Sequence, residues 1–218
     1  MSLQEQRARF ANCDDFKIIA DPPAPCIPPG MTEQDSHEVF HKFRLYARLP
    51  RLDGDLEPGD VLEGPDADGW AHVGTVHIYT RRYGVGRLCP ADLDDADRCY
   101  LDESDGTPQP AKRLGAAPPG SASFRISHFT LALAWRGRGL GRRLLGDVLH
   151  RVPEPGFIAA LNPIPTRPQE SERTDEEGQV LVERFWGSVG FTPCEEHPDL
   201  WIARLDDVLA KVGTARLT

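Results

Sequence analysis

The sequence predicts an α/β fold, a mixed central β-sheet flanked by helices. Three observations predict it. Segments 43–49 and 70–82 carry strand patterning, the first alternating apolar and polar residues with a period of two. Segments 139–152 and 180–189 are amphipathic with helical spacing. The order of segments from 125 onward is strand, helix, strand, helix, strand.

Each element has a local reason. Residues 20–30 hold five prolines and read as an extended strap, so 1–36 are expected to be a loosely attached N-terminal extension and 37–218 a single domain. Phe43, Leu45, Ala47 and Leu49 alternate with polar neighbours. Segment 70–82 is rich in Val, Thr, Ile and Tyr. An acidic Gly/Pro loop lies between the two. Pro90 opens a short helix over 90–102, and a Pro/Gly/Ser-rich loop follows. Segment 125–133 reads as a strand. In the helix that follows it, Leu140, Leu144, Leu145, Val148, Leu149 and Val152 share one face, and a Pro-Glu-Pro-Gly run ends it. Residues 157–161 form a short buried strand. The next helix, with Leu181, Phe185 and Val189 inward, ends at Gly190, and the last strand spans 200–205.

Composition excludes several classes. The chain of 218 residues is 39% hydrophobic, enough for a core, and no stretch of 18 apolar residues occurs. The first residues lack an apolar secretory core, so a cytoplasmic location is expected. Five scattered cysteines with no CxxC pair indicate neither a disulfide framework nor a zinc cluster. The net charge of −9 argues against a nucleic-acid partner. Yet Arg136, Arg138, Arg142 and Arg143 fall within eight positions, which points to a local anion site.

That site reads Arg136-Gly137-Arg138-Gly139-Leu140-Gly141-Arg142-Arg143 and opens a helix behind a strand. A helix start leaves backbone N–H groups unpaired and carries partial positive charge. Glycines let a phosphate approach the backbone, and arginines add charge and paired donors. A Walker loop is absent, and Arg142 occupies the last glycine position of the dinucleotide fingerprint.

The spacing Arg136-x-x-Gly139-x-Gly141 resembles the [Q/R]-x-x-G-x-[G/A] motif of the GNAT N-acetyltransferase superfamily. Phe185-Trp186-Gly187-Ser188-Val189-Gly190-Phe191 resembles its second signature, and 161–165 fall where a core strand of that family ends. The resemblance covers about 124–205 and implies the acyl-CoA N-acyltransferase fold. It further implies that the strand before the cradle splays from the next and that coenzyme A lies in the notch. Leu131, Ala132, Leu133, the residues from Arg136 to Arg143, Asn162 and Trp186 would then bind acetyl-CoA as co-substrate. The implied reaction is direct attack of a primary amine on the thioester, with strand amides stabilising the oxyanion.

Two positions depart from that family. Trp186 stands where a tyrosine usually protonates the leaving thiolate, and an indole cannot do so. Bases on the strand fall at positions matching Arg125 or Ser127, whereas His128 alternates to the opposite face unless a bulge intervenes. Ser127, through an ordered water, and His128 are the catalytic candidates. His72 and His77 read as structural. A second reading keeps coenzyme A binding without efficient catalysis, as a sensor or interaction module.

The expected partners are an amine-bearing small molecule or a protein N-terminus or lysine, with no nucleic acid, no membrane, and a homodimer admitted. A remoter reading is a zinc hydrolase. His37-Glu38-Val39-Phe40-His41 matches HExxH, with Glu63 as a third ligand, and needs that segment to be helical. The period of two that follows it argues against this, so no metal is expected.

Overall fold

The computed structural model describes residues 5, 8, 10, 13, 15–25, 38–49, 56, 57, 59–82, 122–151, 156–161, 175–193 and 200–213. The strands are β1 (Phe16–Ala20), β2 (Ala24–Pro25), β3 (Glu38–Arg48), β4 (Trp70–Arg82), β5 (Ala122–Leu131), β6 (Gly156–Leu161), β7 (Thr192–Pro193) and β8 (Leu200–Arg204). The helices are α1 (Leu140–His150), α2 (Asp175–Ser188) and α3 (Leu205–Val212), and a 3-10 turn spans Leu133–Trp135. The strands form one open mixed sheet in the order β1-β3-β4-β5-β6-β8-β7, with β2 pairing β3. All pairs are antiparallel except β5 with β6. The expected mixed sheet flanked by helices is present. The helix expected over 90–102 lies outside the described residues.

Alternation along the strands divides the sheet into two faces. Phe43, Leu45, Val76, Ile78, Phe124 and Ile126 line one face, and all are buried. Leu140, Leu144, Leu145, Val148 and Leu149 of α1 join the same core. So do Trp186 and Val189 of α2, and Leu205, Val208 and Val212 of α3. Helix α3 was not expected from the sequence. Its buried residues recur at helical spacing, Asp206 and Asp207 complement its N-terminus, and Gly213 ends it at φ 75°. On α1, the buried Asp147 carboxylate accepts from Arg151 one turn on, at 2.9 and 3.1 Å.

Two expectations are corrected, and the remote zinc reading loses its premise. The N-terminal segment is not loosely attached: β1 pairs with β3 along its full length, and Phe10, Cys13 and Phe16 are buried. Phe10 stacks on Trp135 at 5.0 Å and Phe16 meets its edge at 5.8 Å, so three apolar side chains outweigh the polar residues around them. The described part of HExxH is strand β3, where Glu38 pairs with Arg81 and His41 with Ile78. A strand sets successive side chains on opposite faces, so the one-turn histidine spacing of a zincin does not arise. Glu63 pairs with His72 instead, and no cluster of three metal-ligating side chains occurs among the described residues. Finally, the strand expected to run to residue 133 stops at Leu131, and the chain turns through the 3-10 segment.

Candidate active site

The ladder between β5 and β6 runs from Ala122↔Gly156 to Ile126↔Ala160 and ends there, while β5 continues five residues further against β4 alone. The cause is local. Register between β4 and β5 shifts between His77↔His128 and Ile78↔Ile126, which makes Ser127 an extra, bulged residue. A bulge bends its strand and raises the twist, and among the described residues β5 has no ladder partner on its β6 side beyond Ile126, so this edge is the candidate notch. Backbone polarity identifies what faces it. Ala132 N–H donates to the Val73 carbonyl of β4 at 2.9 Å. By alternation the Leu131 amide points the other way, toward the notch. The Leu131 carbonyl accepts from Arg136 Nε at 2.7 Å.

Directly beyond lies the start of α1. Gly137 and Gly139 take left-handed backbone at φ 76° and 77°, which only glycine adopts without strain. The first helical bond runs from Arg143 N–H to the Gly139 carbonyl. The amides of Leu140, Gly141 and Arg142 therefore have no acceptor within the helix. No side chain caps this end and its first turn holds no acid, whereas α3 places two aspartates in its own. A Cβ at Gly141 would lie 3.3 Å from Phe185 and 3.6 Å from Leu131 and Phe129, so glycine here lets the helix start close against the notch wall. A Cβ at Gly139 would meet nothing within 4 Å.

The arginines are more committed to the fold than the sequence suggests. Arg138 lies over the Trp135 ring at 5.2 Å and reaches toward the Cys13 carbonyl at 3.5 Å. Arg143 lies over Phe16 at 5.9 Å, and Arg142 donates to the Ser188 carbonyl at 3.3 Å. What this helix start can offer an anion is thus chiefly its backbone amides, with the arginines adding nearby charge.

The expected site residues are placed as follows. Leu131 ends β5 beside the notch. The Ala132 amide is engaged by β4, and Leu133 opens the 3-10 turn packed over Gly59. Asn162 lies outside the described residues. Trp186 does not line an open site: it is 1% exposed and packs against Phe129, Phe185 and Phe191 at 5.8, 5.0 and 4.9 Å. Its indole N–H has no hydrogen-bond partner among the described residues. Trp186→Phe should therefore leave coenzyme A affinity unchanged and alter stability by less than about 1.5 kcal/mol, measured by titration calorimetry and chemical denaturation.

The bulge also settles which way His128 points. It carries His128 onto the sheet face of Arg125, away from Ile126, so the opposite-face expectation from simple alternation is corrected. Ser127 itself is exposed. His128 and His77 lie 4.9 Å apart there, beside Phe40, Lys42 and Tyr79, with the Arg125 guanidinium over the Tyr79 ring at 4.8 Å. His77 was read as structural, and only the register shift joins it to His128.

Burial lowers the pKa of His41, His72, His77 and His128, and His77 is pushed down to about 4 with help from His128 and Lys42. Unfolded histidines titrate near 6.5. The unfolded chain therefore binds more protons between pH 6.5 and about 4, and stability falls as pH drops through that window. Thermal melts at constant ionic strength should show the midpoint decreasing from pH 7 to pH 4.5, and a quadruple His→Gln variant should flatten the slope.

A β5–β6 ladder that stops at Ile126, a glycine-rich helix start with no side-chain cap behind β5 and the mixed strand order are all in place. The fold is GNAT-like. No family model and no curated protein matches the chain. Among solved structures, AtaTR bound with AcCoA is similar over 78% of this chain and 72% of its own, at 9% identity and TM-score 0.39. The KacTA–DNA complex covers 78% and 70% at 10% identity and TM-score 0.37. AtaT complexed with acetyl-methionyl-tRNAfMet covers 78% and 73% at 9% identity and TM-score 0.35.

One expectation is corrected. The exclusion of a nucleic-acid partner does not stand; two of these structures are complexes with nucleic acid. Its physical weakness is that a net charge of −9 sums over the whole chain. Binding responds to local charge, and Lys42, Arg44 and Arg125 share one sheet face here. Among the described residues, no helix is long and apolar enough to cross a membrane.

Proposed function

We propose that this chain transfers the acetyl group of acetyl-CoA to a primary amine. The observation that carries the reading is the end of the β5–β6 ladder at Ile126, directly before an uncapped helix start with two left-handed glycines. The free amides of Leu140, Gly141 and Arg142 suit a pyrophosphate. The Leu131 amide on the notch edge suits the pantetheine arm or the thioester carbonyl, where a fixed donor stabilises developing negative charge. Acetyl-CoA supplies the activated acyl group; the chain's own part is to hold it, expose its carbonyl and manage the amine's proton.

The burial of Trp186 at the family's acid position favours a second reading, coenzyme A binding without efficient turnover. Thiol release from acetyl-CoA, followed with an amine panel, separates the two. Stimulated release with any amine supports transfer. Saturable binding with no release across the panel supports the second reading. The panel includes amines carried on nucleic acid.

A further inference from the structure

We propose that His77 and His128 together form the proton-accepting site of the notch, with His128 taking the proton that the attacking amine releases and His77 holding His128 in place. This rests on the acyl-transfer reading above. The Ser127 bulge is what brings the pair about. It ends the β5–β6 ladder and, in the same step, sets His128 opposite His77 on one sheet face. The ring centroids are 4.9 Å apart with planes tilted by 35°. His77 is itself fixed by the Phe40 ring at 5.1 Å. Its Nε2 is buried and has no hydrogen-bond partner among the described residues.

The chemistry balances with no further reactant. The amine nitrogen forms a bond to the acyl carbon, the carbon–sulfur bond breaks, and sulfur leaves with the electron pair. The amine proton passes to the lone pair of a neutral imidazole. Both rings are available in that state at neutral pH, because burial and the Lys42 ammonium disfavour their charged forms. His128 also opposes protonation of His77, so the pair accepts one proton before a second. Asp21 acts weakly in the other direction on His77. Arg125 and Tyr79 complete the polar groups on this face.

Bromoacetyl-CoA tests the placement without knowledge of the acceptor. An imidazole beside the acyl group displaces bromide from the methylene carbon and is alkylated. Peptide mapping of the wild-type chain should find the label on His128, suppressed at least tenfold by saturating coenzyme A and lost in His128→Gln. Nuclear magnetic resonance of the imidazole protons should show the His77 titration moving upward from about 4 in His128→Gln. Protein that binds coenzyme A but carries the label elsewhere, or none, overturns the His128 assignment. A His77 titration unmoved by His128→Gln overturns the pairing. Failure to bind coenzyme A at all removes the acyl-transfer reading itself, and the pair's role with it.

Discussion

Gly139→Asp should reduce coenzyme A affinity by roughly a hundredfold or more while the chain stays folded. Position 139 has φ 77° and no atom within 4 Å of an added Cβ. Any side chain strains this turn, but aspartate and asparagine tolerate left-handed backbone better than other residues with a side chain, and both variants carry the same strain. Gly139→Asp does place a carboxylate beside the amides of Leu140 to Arg142. Two like charges about 4 Å apart repel by about 4 kcal/mol at the effective dielectric of a protein surface, and a pyrophosphate carries more than one charge. Gly139→Asn keeps the shape without the charge and should retain most of the affinity. Titration calorimetry of the two variants gives the comparison, with thermal melts as the check on folding. Equal affinities would mean that the anion sits elsewhere. Position 141 is less suited to this test, because a side chain there meets Phe185 at 3.3 Å and disturbs packing as well as charge.

Trp135→Ala should cost about 3–5 kcal/mol of stability, the usual range for removing a fully buried tryptophan. Trp135 has no exposed surface and joins three parts of the chain. Phe10 and Phe16 of the N-terminal segment pack on its ring, and Arg138 of the cradle lies over it. Its indole N–H donates to the Asp60 carbonyl at 2.6 Å. The loss is a large share of the 5–15 kcal/mol that domains usually possess. Trp135→Phe keeps most of the packing and leaves the Asp60 carbonyl without this donor, for an expected cost of about 1–3 kcal/mol. Denaturant unfolding followed by circular dichroism measures both. A change below about 1 kcal/mol in Trp135→Ala would mean that the N-terminal segment does not depend on this contact.

What the sequence made legible was whatever repeats locally. The apolar spacing of α1, the alternation in β3 and the glycines at 137 and 139 each act over a few residues, and they mark the helix, the strand and the left-handed turn that the structure shows. Three features depend on partners far along the chain and were not legible. Strand β1 is five residues long and exists because Leu45 and its neighbours in β3 offer it an edge. The bulge at Ser127 is a mismatch between β4 and β5, and neither strand contains it alone. The pairing of His77 with His128 follows from that mismatch. The burial of Trp186 was not legible for a related reason: a motif position says which residue aligns with a family's acid, but only packing says that Phe129 and Phe191 enclose it. Net charge misled about partners because it carries no position.

In the proposed arrangement, coenzyme A lies along the open edge of β5 with its pyrophosphate on the start of α1. The most direct measurement is a titration of the wild-type protein with acetyl-CoA, followed by backbone amide resonances. The account predicts saturable shifts concentrated at Leu131 and at 137–142, with β1 and α3 little changed. Shifts confined to other parts of the chain, or none at millimolar ligand, would contradict it.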